Sequence, residues 1–197
     1  MKTKILSIIV LFAALTGFTT NTNAAVAANS NLTVLNDIKA INSIEVRGNV
    51  ELFISDNAGE EVTVYNKYYA HNALVQSKNG VLRISSYNNE KLIVWVNSQN
   101  LRSVSAYDNA EIKSFGNVAK IEFNIDLHDS AVAKLSFDSY SVRVTMRDNA
   151  TAELSGRVEV FGMDRNTASM VISNGLTVGR NIENKITETG KQALAGA

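Results

Sequence analysis

From Ile41 the chain alternates apolar and polar side chains with a period of two. Ile44, Val46, Val50, Leu52 and Ile54 share one parity, interrupted at Gly48, while Glu45, Arg47, Asn49 and Glu51 fill the other. That pattern predicts strands with one buried face. Asp56-Asn57-Ala58-Gly59 has the composition of a turn, and Val62 and Val64 restart the alternation. Lys67 to Leu74, with Tyr68, Tyr69 and His71, is the least strand-like stretch and reads as a loop or one short helical turn. Lys78-Asn79-Gly80 carries the strongest hairpin signal, because Asn-Gly tolerates the positive φ of tight primed turns. Leu92-Ile93-Val94-Trp95-Val96 is apolar on both parities, which predicts a strand covered on both faces.

Beyond residue 99 the alternation becomes a repeat. A polar corner built on aspartate, then small residues, then an apolar position recurs as Tyr107-Asp108-Asn109-Ala110-Glu111-Ile112, His128-Asp129-Ser130-Ala131 and Arg147-Asp148-Asn149-Ala150. A faded fourth copy, Arg165-Asn166-Thr167-Ala168, follows. The aspartates are 21 and 19 residues apart, and Asn166 comes 18 later. Between the corners, Ile121, Phe123, Ile125 and Leu127 form one inward set. Val142, Val144 and Met146 form a second, Ala133, Leu135 and Phe137 a third, and Ala150, Ala152 and Leu154 a fourth. Each repeat thus supplies two short strands around an Asp corner. Coils of about 20 residues bury their inward side chains only by stacking on one another, the architecture of a parallel β-helix. Ala110, Ala131, Ala150 and Ala168 after the corners would let successive coils pack closely. The expected fold is therefore all-β: a β-helix-like stack of short coils preceded by a strand-rich N-terminal half.

Composition changes this picture little. The 197 residues suit one domain, and 45 % apolar residues can bury a substantial core. There is no proline, which suits a chain committed to strand ladders. There is no cysteine, which excludes a disulfide framework, a thiolate metal site and a lipidated cysteine.

The N-terminus has the parts of a secretory signal: Lys2 and Lys4, an apolar run from Ile5 to Phe18, and Ala25-Val26-Ala27 as the cleavage pattern. The run of 14 residues is short of the ~20 a spanning helix needs, and no later stretch could span a bilayer. The expected organisation is a signal peptide over 1–27, one domain over 28–180 and a flexible tail over 181–197. Without the leader, 17 basic residues stand against 19 acidic ones, which gives no footprint for nucleic acid or an anionic membrane.

Three stretches resemble the bacterial family described as putative auto-transporter adhesin, head GIN domain. They are Ile41-Asn42-Ser43-Ile44-Glu45-Val46-Arg47-Gly48-Asn49-Val50-Glu51-Leu52-Phe53-Ile54, then Val75 to Ile84, then Leu101-Arg102-Ser103-Val104-Ser105 leading to Asp108-Asn109-Ala110. The resemblance covers about residues 38–175. It implies an exported, right-handed parallel β-helix and carries no settled catalytic residues. Family members usually have glycine and serine at corners where this chain has Asp-Asn and Asp-Ser.

The Asp108, Asp129, Asp148 series is the constellation that could carry chemistry. Stacked corners lie about 4.8 Å apart per rung, so the three carboxylates could form a column. Such a column could hold calcium, read a sugar or, at the right separation, cleave a glycosidic bond. The plainer reading is that Asp and Asn cap turns through the backbone and tolerate left-handed φ. The candidate ligand surface is Tyr107, Asp108, Asn109, His128, Asp129, Asp148 and Asn149. His128 could pair with Asp129, but two histidines without metal-binding spacing make no metal site. Tyr65, Tyr68, Tyr69, Tyr87 and Trp95 gather in the N-terminal half, either as packing or as rings for sugars or partners.

The function expected from these residues is a non-enzymatic, exported binding or adhesion-type domain, periplasmic or at the cell surface, that recognises a glycan or a protein. Neither a catalytic residue nor a cofactor is expected, and calcium has no dedicated site. The rival readings are a polysaccharide-active enzyme using two of Asp108, Asp126, Asp129 and Asp148, and an envelope protein that assembles end to end through exposed edges.

Overall fold

The computed structural model describes residues 32–35, 38, 40–65 and 73–185. The expected signal peptide, Tyr68, Tyr69, His71 and the sequence after Lys185 lie outside the described residues. Among the described residues the chain is all-β, with thirteen strands in one curled, open sheet. In chain order they are β1 (Leu32–Val34), β2 (Ser43–Gly48), β3 (Val50–Ser55), β4 (Glu61–Tyr65) and β5 (Ala73–Lys78). Then come β6 (Val81–Ser86), β7 (Leu92–Asn97), β8 (Ser103–Tyr107), β9 (Glu111–Val118) and β10 (Glu122–Leu127). Three long strands finish the sheet: β11 (Val132–Met146), β12 (Thr151–Arg165) and β13 (Met170–Lys185).

The ladders are mostly parallel. β10 pairs with β8 and with the second half of β11, and the first half of β11 pairs with β9. β11 runs along β12, and β12 along β13, over their whole lengths. Ala133 lies beside Ala152 and Val144 beside Met163, so the chain returns to the same place every 19 residues. One side chain in two points inward at each return, and the inward columns are apolar. Ile44, Val104, Ile125 and Val144 fill one such column and Leu52, Ile112, Ala133 and Ala152 another, all at most 2 % exposed. Phe123 and Phe137, the largest fully buried side chains, lie 6.4 Å apart between ring centroids in the core. Ala110, Ala131 and Ala150 are fully buried behind the corners, as their size requires.

Space does not follow chain order in the N-terminal half. β2 and β3 pair with β8 and β9 on one side and with β6 and β7 on the other. The chain therefore leaves the stack after β3, forms antiparallel β4 and β5, returns below as β6–β7, and rejoins above as β8–β9. The Asn79-Gly80 hairpin forms as its sequence predicts, with φ of 53° and 79°. Antiparallel β5 covers β6, and β4 with β1 covers β7, so this edge ends on strands of opposite direction.

Several expectations need correction. Ile121 is 83 % exposed because it lies before β10 begins, at the bend beside Lys120. The fourth corner is shifted by one residue: Asn166 takes the place of Arg147, and buried Ser169, not Ala168, follows it. Asn166 Oδ1 accepts the Ser169 N–H there, a side-chain cap in place of the aspartate. Strand β13 also continues through Lys185, past the expected start of a tail at residue 181. Its backbone gains a full parallel ladder to β12, which outweighs its weak apolar pattern. Opposite its ladder partner, β13 has no neighbour among the described residues.

Candidate functional site

The corner row is built by the register. Arg47 lies beside Tyr107, which places Gly48 over Asp108, and the following corners stack Asp129 and Asp148 on it. All four have positive φ: 79° at Gly48, then 60°, 57° and 55° at the three aspartates. Glycine takes that region freely, and aspartate is among the few side chains that tolerate it. Each carboxylate also has a defined task. Asp108 Oδ2 accepts the Gly48 N–H at 3.1 Å, Asp129 Oδ2 the Asp108 N–H at 3.0 Å, and Asp148 Oδ2 the Asp129 N–H at 3.1 Å. The column thus bonds each rung to the one before it. It is a charge-assisted version of turn capping. Among the described residues, none of Asp108, Asp126, Asp129 and Asp148 lines the clefts beside Phe161, Trp95, Leu135 and Lys120. Among the described residues no three acidic or histidine side chains are grouped to hold a metal ion.

Next to that column runs a row of outward rings and charges. The Arg47 guanidinium sits 3.8 Å above the Tyr107 ring, and Tyr107 stacks on His128 at 4.6 Å. Glu45 accepts from Arg47 and Arg83, and the Arg47 bond above all holds its carboxyl below the usual range. His128 lies beside Asp126, not Asp129: Nε2 is 3.0 Å from Asp126 Oδ2, without the alignment of a hydrogen bond. The reason is strand geometry. Residues two apart share a face, whereas Asp129 has turned into the corner. Tyr87 belongs to this row as well, its hydroxyl donating to Asp108 Oδ2 at 3.2 Å. Asn109 and Asn149 are exposed at their corners. The register therefore brings the seven predicted residues together along one edge, with the carboxylates occupied.

The other sheet face carries a feature the sequence hid. Trp95 on β7 stacks on Phe53 of β3 at 4.6 Å with 15° between planes. Phe115 of β9 tilts against the same indole at 5.2 Å and 58°. These residues are far apart along the chain and meet because β7, β3 and β9 are consecutive in space. Leu92 to Val96 is therefore not covered alike on both faces. Leu92, Val94 and Val96 enter the core, while Ile93 and Trp95 are half-buried among outward side chains. Gly116, with φ of 81° and open space around its α-carbon, lets β9 irregularly offset Phe115, which is 60 % exposed.

Beside this row lies a cleft of about 200 Å³ between Tyr65 and Phe115, floored by Trp95, Thr63 and Val96. Asn57, Glu61 and Asn97 form its polar rim. Asn97 is fixed, donating to the carbonyls of Ala58 and Gly59 and accepting from Ser55 Oγ. Lys113, 5.6 Å from the Phe53 ring centroid, is bonded to Glu51 and Glu111, and the Glu51 bond chiefly raises its pKa. Of the tyrosines singled out from sequence, Tyr65 walls the cleft and Tyr87 serves the corner row. Phe53 and Phe115 were legible only as outward-parity positions, and nothing local marked them as partners of Trp95.

Fold and surface together define the class: an all-β domain that displays rows of outward side chains on a curled sheet. The chain belongs to the family described as putative auto-transporter adhesin, head GIN domain, whose pattern matches residues 40–191. The same fold is found in a putative adhesin from Parabacteroides merdae ATCC 43184 (TM-score 0.63, 14 % identity, 80 % of this chain and 78 % of that one). A putative adhesin from Parabacteroides distasonis ATCC 8503 is also similar (TM-score 0.53, 15 % identity, 80 % and 79 %). No curated protein matches the chain.

Proposed function

We propose that this chain is an exported, non-enzymatic binding domain of the adhesion type. It acts in the periplasm or at the cell surface and recognises a glycan or a protein there. The observation that carries the reading is the aromatic cleft of Trp95, Phe115 and Tyr65 on the outer sheet face. Exposed rings on a rigid sheet lose little entropy when a ligand covers them, and such residues dominate binding energies. The signal-like N-terminus, the family membership and the similarity to proteins described as adhesins support the exported setting. The parallel ladders with their 19-residue return support a right-handed parallel β-helix-like stack as the scaffold. Binding in this reading requires neither a cofactor nor calcium.

The test is binding of purified residues 28–197 to glycan and matrix-protein arrays, with circular dichroism to verify folding. Binding lost in Trp95→Ala and Phe115→Ala, and kept when Asp108, Asp129 and Asp148 are all changed to Asn, is the expected result. Loss confined to the triple variant would move recognition to the corner row. No binding to any glycan or protein offered would count against the reading.

A second reading, self-assembly through strand edges, has its own observation. Beyond β13 the described sheet ends, and Met170, Ile172 and Ile182 are exposed on that strand. Concentration-dependent oligomers in sizing experiments would favour it, and a strict monomer would end it.

A further inference from the structure

The cleft's own chemistry narrows the ligand, and the narrowing rests on the binding-domain reading above. We infer that the cleft between Tyr65 and Phe115 receives one uncharged pyranose ring of a glycan, its C–H face against Trp95 and Phe115. Size is the first ground. At about 200 Å³ the cleft lies below the ~300–1,000 Å³ of pockets that enclose drug-sized ligands, and it suits a single ring.

The second ground is the supply of unused polar groups. Asn97 spends its amide on the chain itself, and Glu61 Oε1 accepts from Thr63 Oγ at 2.8 Å. The Asn57 amide, Glu61 Oε2 and the Tyr65 hydroxyl make no hydrogen bond among the described residues, and all three edge the cleft. An apolar peptide side chain seated there would leave these groups without partners, at a cost. Ring hydroxyls would satisfy them while the aromatic walls take the ring's apolar face.

Charge is the third ground. Among the described residues, Glu61 is the one carboxylate lining the cleft, and no lysine or arginine lines it. Lys113, the cation next to the aromatic row, is already held by Glu51 at 2.5 Å and Glu111 at 3.1 Å. A uronate or sialyl carboxylate would therefore meet an unpaired negative charge, and an uncharged ring meets none.

Trp95 is the chain's single tryptophan, so its fluorescence reports the cleft directly. The exported, purified protein is titrated with neutral cello- and chito-oligosaccharides and with acidic oligogalacturonides and sialyllactose. Neutral sugars should shift Trp95 emission and acidic ones should not. Phe115→Ala, a change at an exposed side chain that the core does not need, should weaken the neutral sugars at least about tenfold. Glu61→Gln should bring acidic sugars within reach of neutral ones. Acidic sugars or matrix proteins that shift the emission, where neutral sugars do not, would overturn this inference and leave the binding-domain reading standing. Trp95 emission unmoved by every glycan and protein, in a protein folded by circular dichroism, would overturn this inference, and the binding-domain reading falls with it only if the arrays also show no binding.

Discussion

Replacing Asp129 by alanine removes one acceptor from the middle of the corner column and forces a β-carbon to hold φ near 57° without help. Two losses follow. A left-handed alanine costs about 1–2 kcal/mol. The Asp108 N–H loses a charged acceptor at 3.0 Å, worth about 1 kcal/mol at so exposed a corner. One gain opposes them. Carboxylates on rungs about 4.8 Å apart repel by roughly 0.9 kcal/mol per neighbour in water, and physiological salt cuts this to about half. Asp129 has a neighbour on each side, so its removal returns about 1 kcal/mol. The net expectation for Asp129→Ala is a loss of about 1–2 kcal/mol, or roughly 2–8 °C in Tm for a domain of this size. Asp129→Asn keeps both the acceptor and the tolerance of positive φ while removing the repulsion, so it should equal or slightly exceed the parent protein at neutral pH. Asp129→Gly relieves the backbone but not the lost bond and should fall between them. Thermal and urea unfolding of the parent and three variants, at low and 1 M salt, measure all of this. Alanine as stable as asparagine would refute the reasoning. The bond and the left-handed fit would then contribute nothing, and the aspartates would be held for ligand recognition.

Glycines at two bends separate crowding from backbone strain. Gly156 has φ of 93°, and a β-carbon there would lie 2.1 Å from the Phe137 carbonyl oxygen, so Gly156→Ala should cost more than about 3 kcal/mol in urea unfolding. At Gly116, with φ of 81° and nothing within 4 Å, the same change should cost only about 1–2 kcal/mol. Phe123→Ala, which removes one of the largest fully buried side chains, should lose about 3–5 kcal/mol by the same assay. Glu60 accepts from the Ala40 and Ile41 N–H groups, and the Ala40 bond above all lowers its pKa. A depressed carboxylate contributes stability above its unfolded pKa, about 4.3, and loses it as pH falls through the folded value. Glu60→Gln should therefore be less stable than the parent at pH 7, and the gap should narrow as pH falls below about 4.3. A stability gap that persists undiminished at pH 3 would contradict the sign.

The alternation of apolar and polar residues determined which side chains enter the core, because in a strand orientation depends only on parity. Phe123, Val144 and Leu154 could be assigned to the interior from that pattern alone, and the 19-residue return from the spacing of Asp129 and Asp148. The corners were equally legible, since few residues other than glycine, asparagine and aspartate accept positive φ, and Asp108, Asp129 and Asp148 all adopt it. Where the pattern was weak the ladder took over: Asn166 is displaced by one position and β13 reaches Lys185 because each is bonded to β12 or its neighbours. The aromatic cleft was beyond local reading. Phe53, Trp95 and Phe115 each look like an ordinary outward residue, and their meeting depends on the chain skipping from β3 to β7 and back to β9. Parity is a local property that a strand carries with it; which strands become neighbours is set by the global balance of burial and pairing, and only the folded chain expresses it.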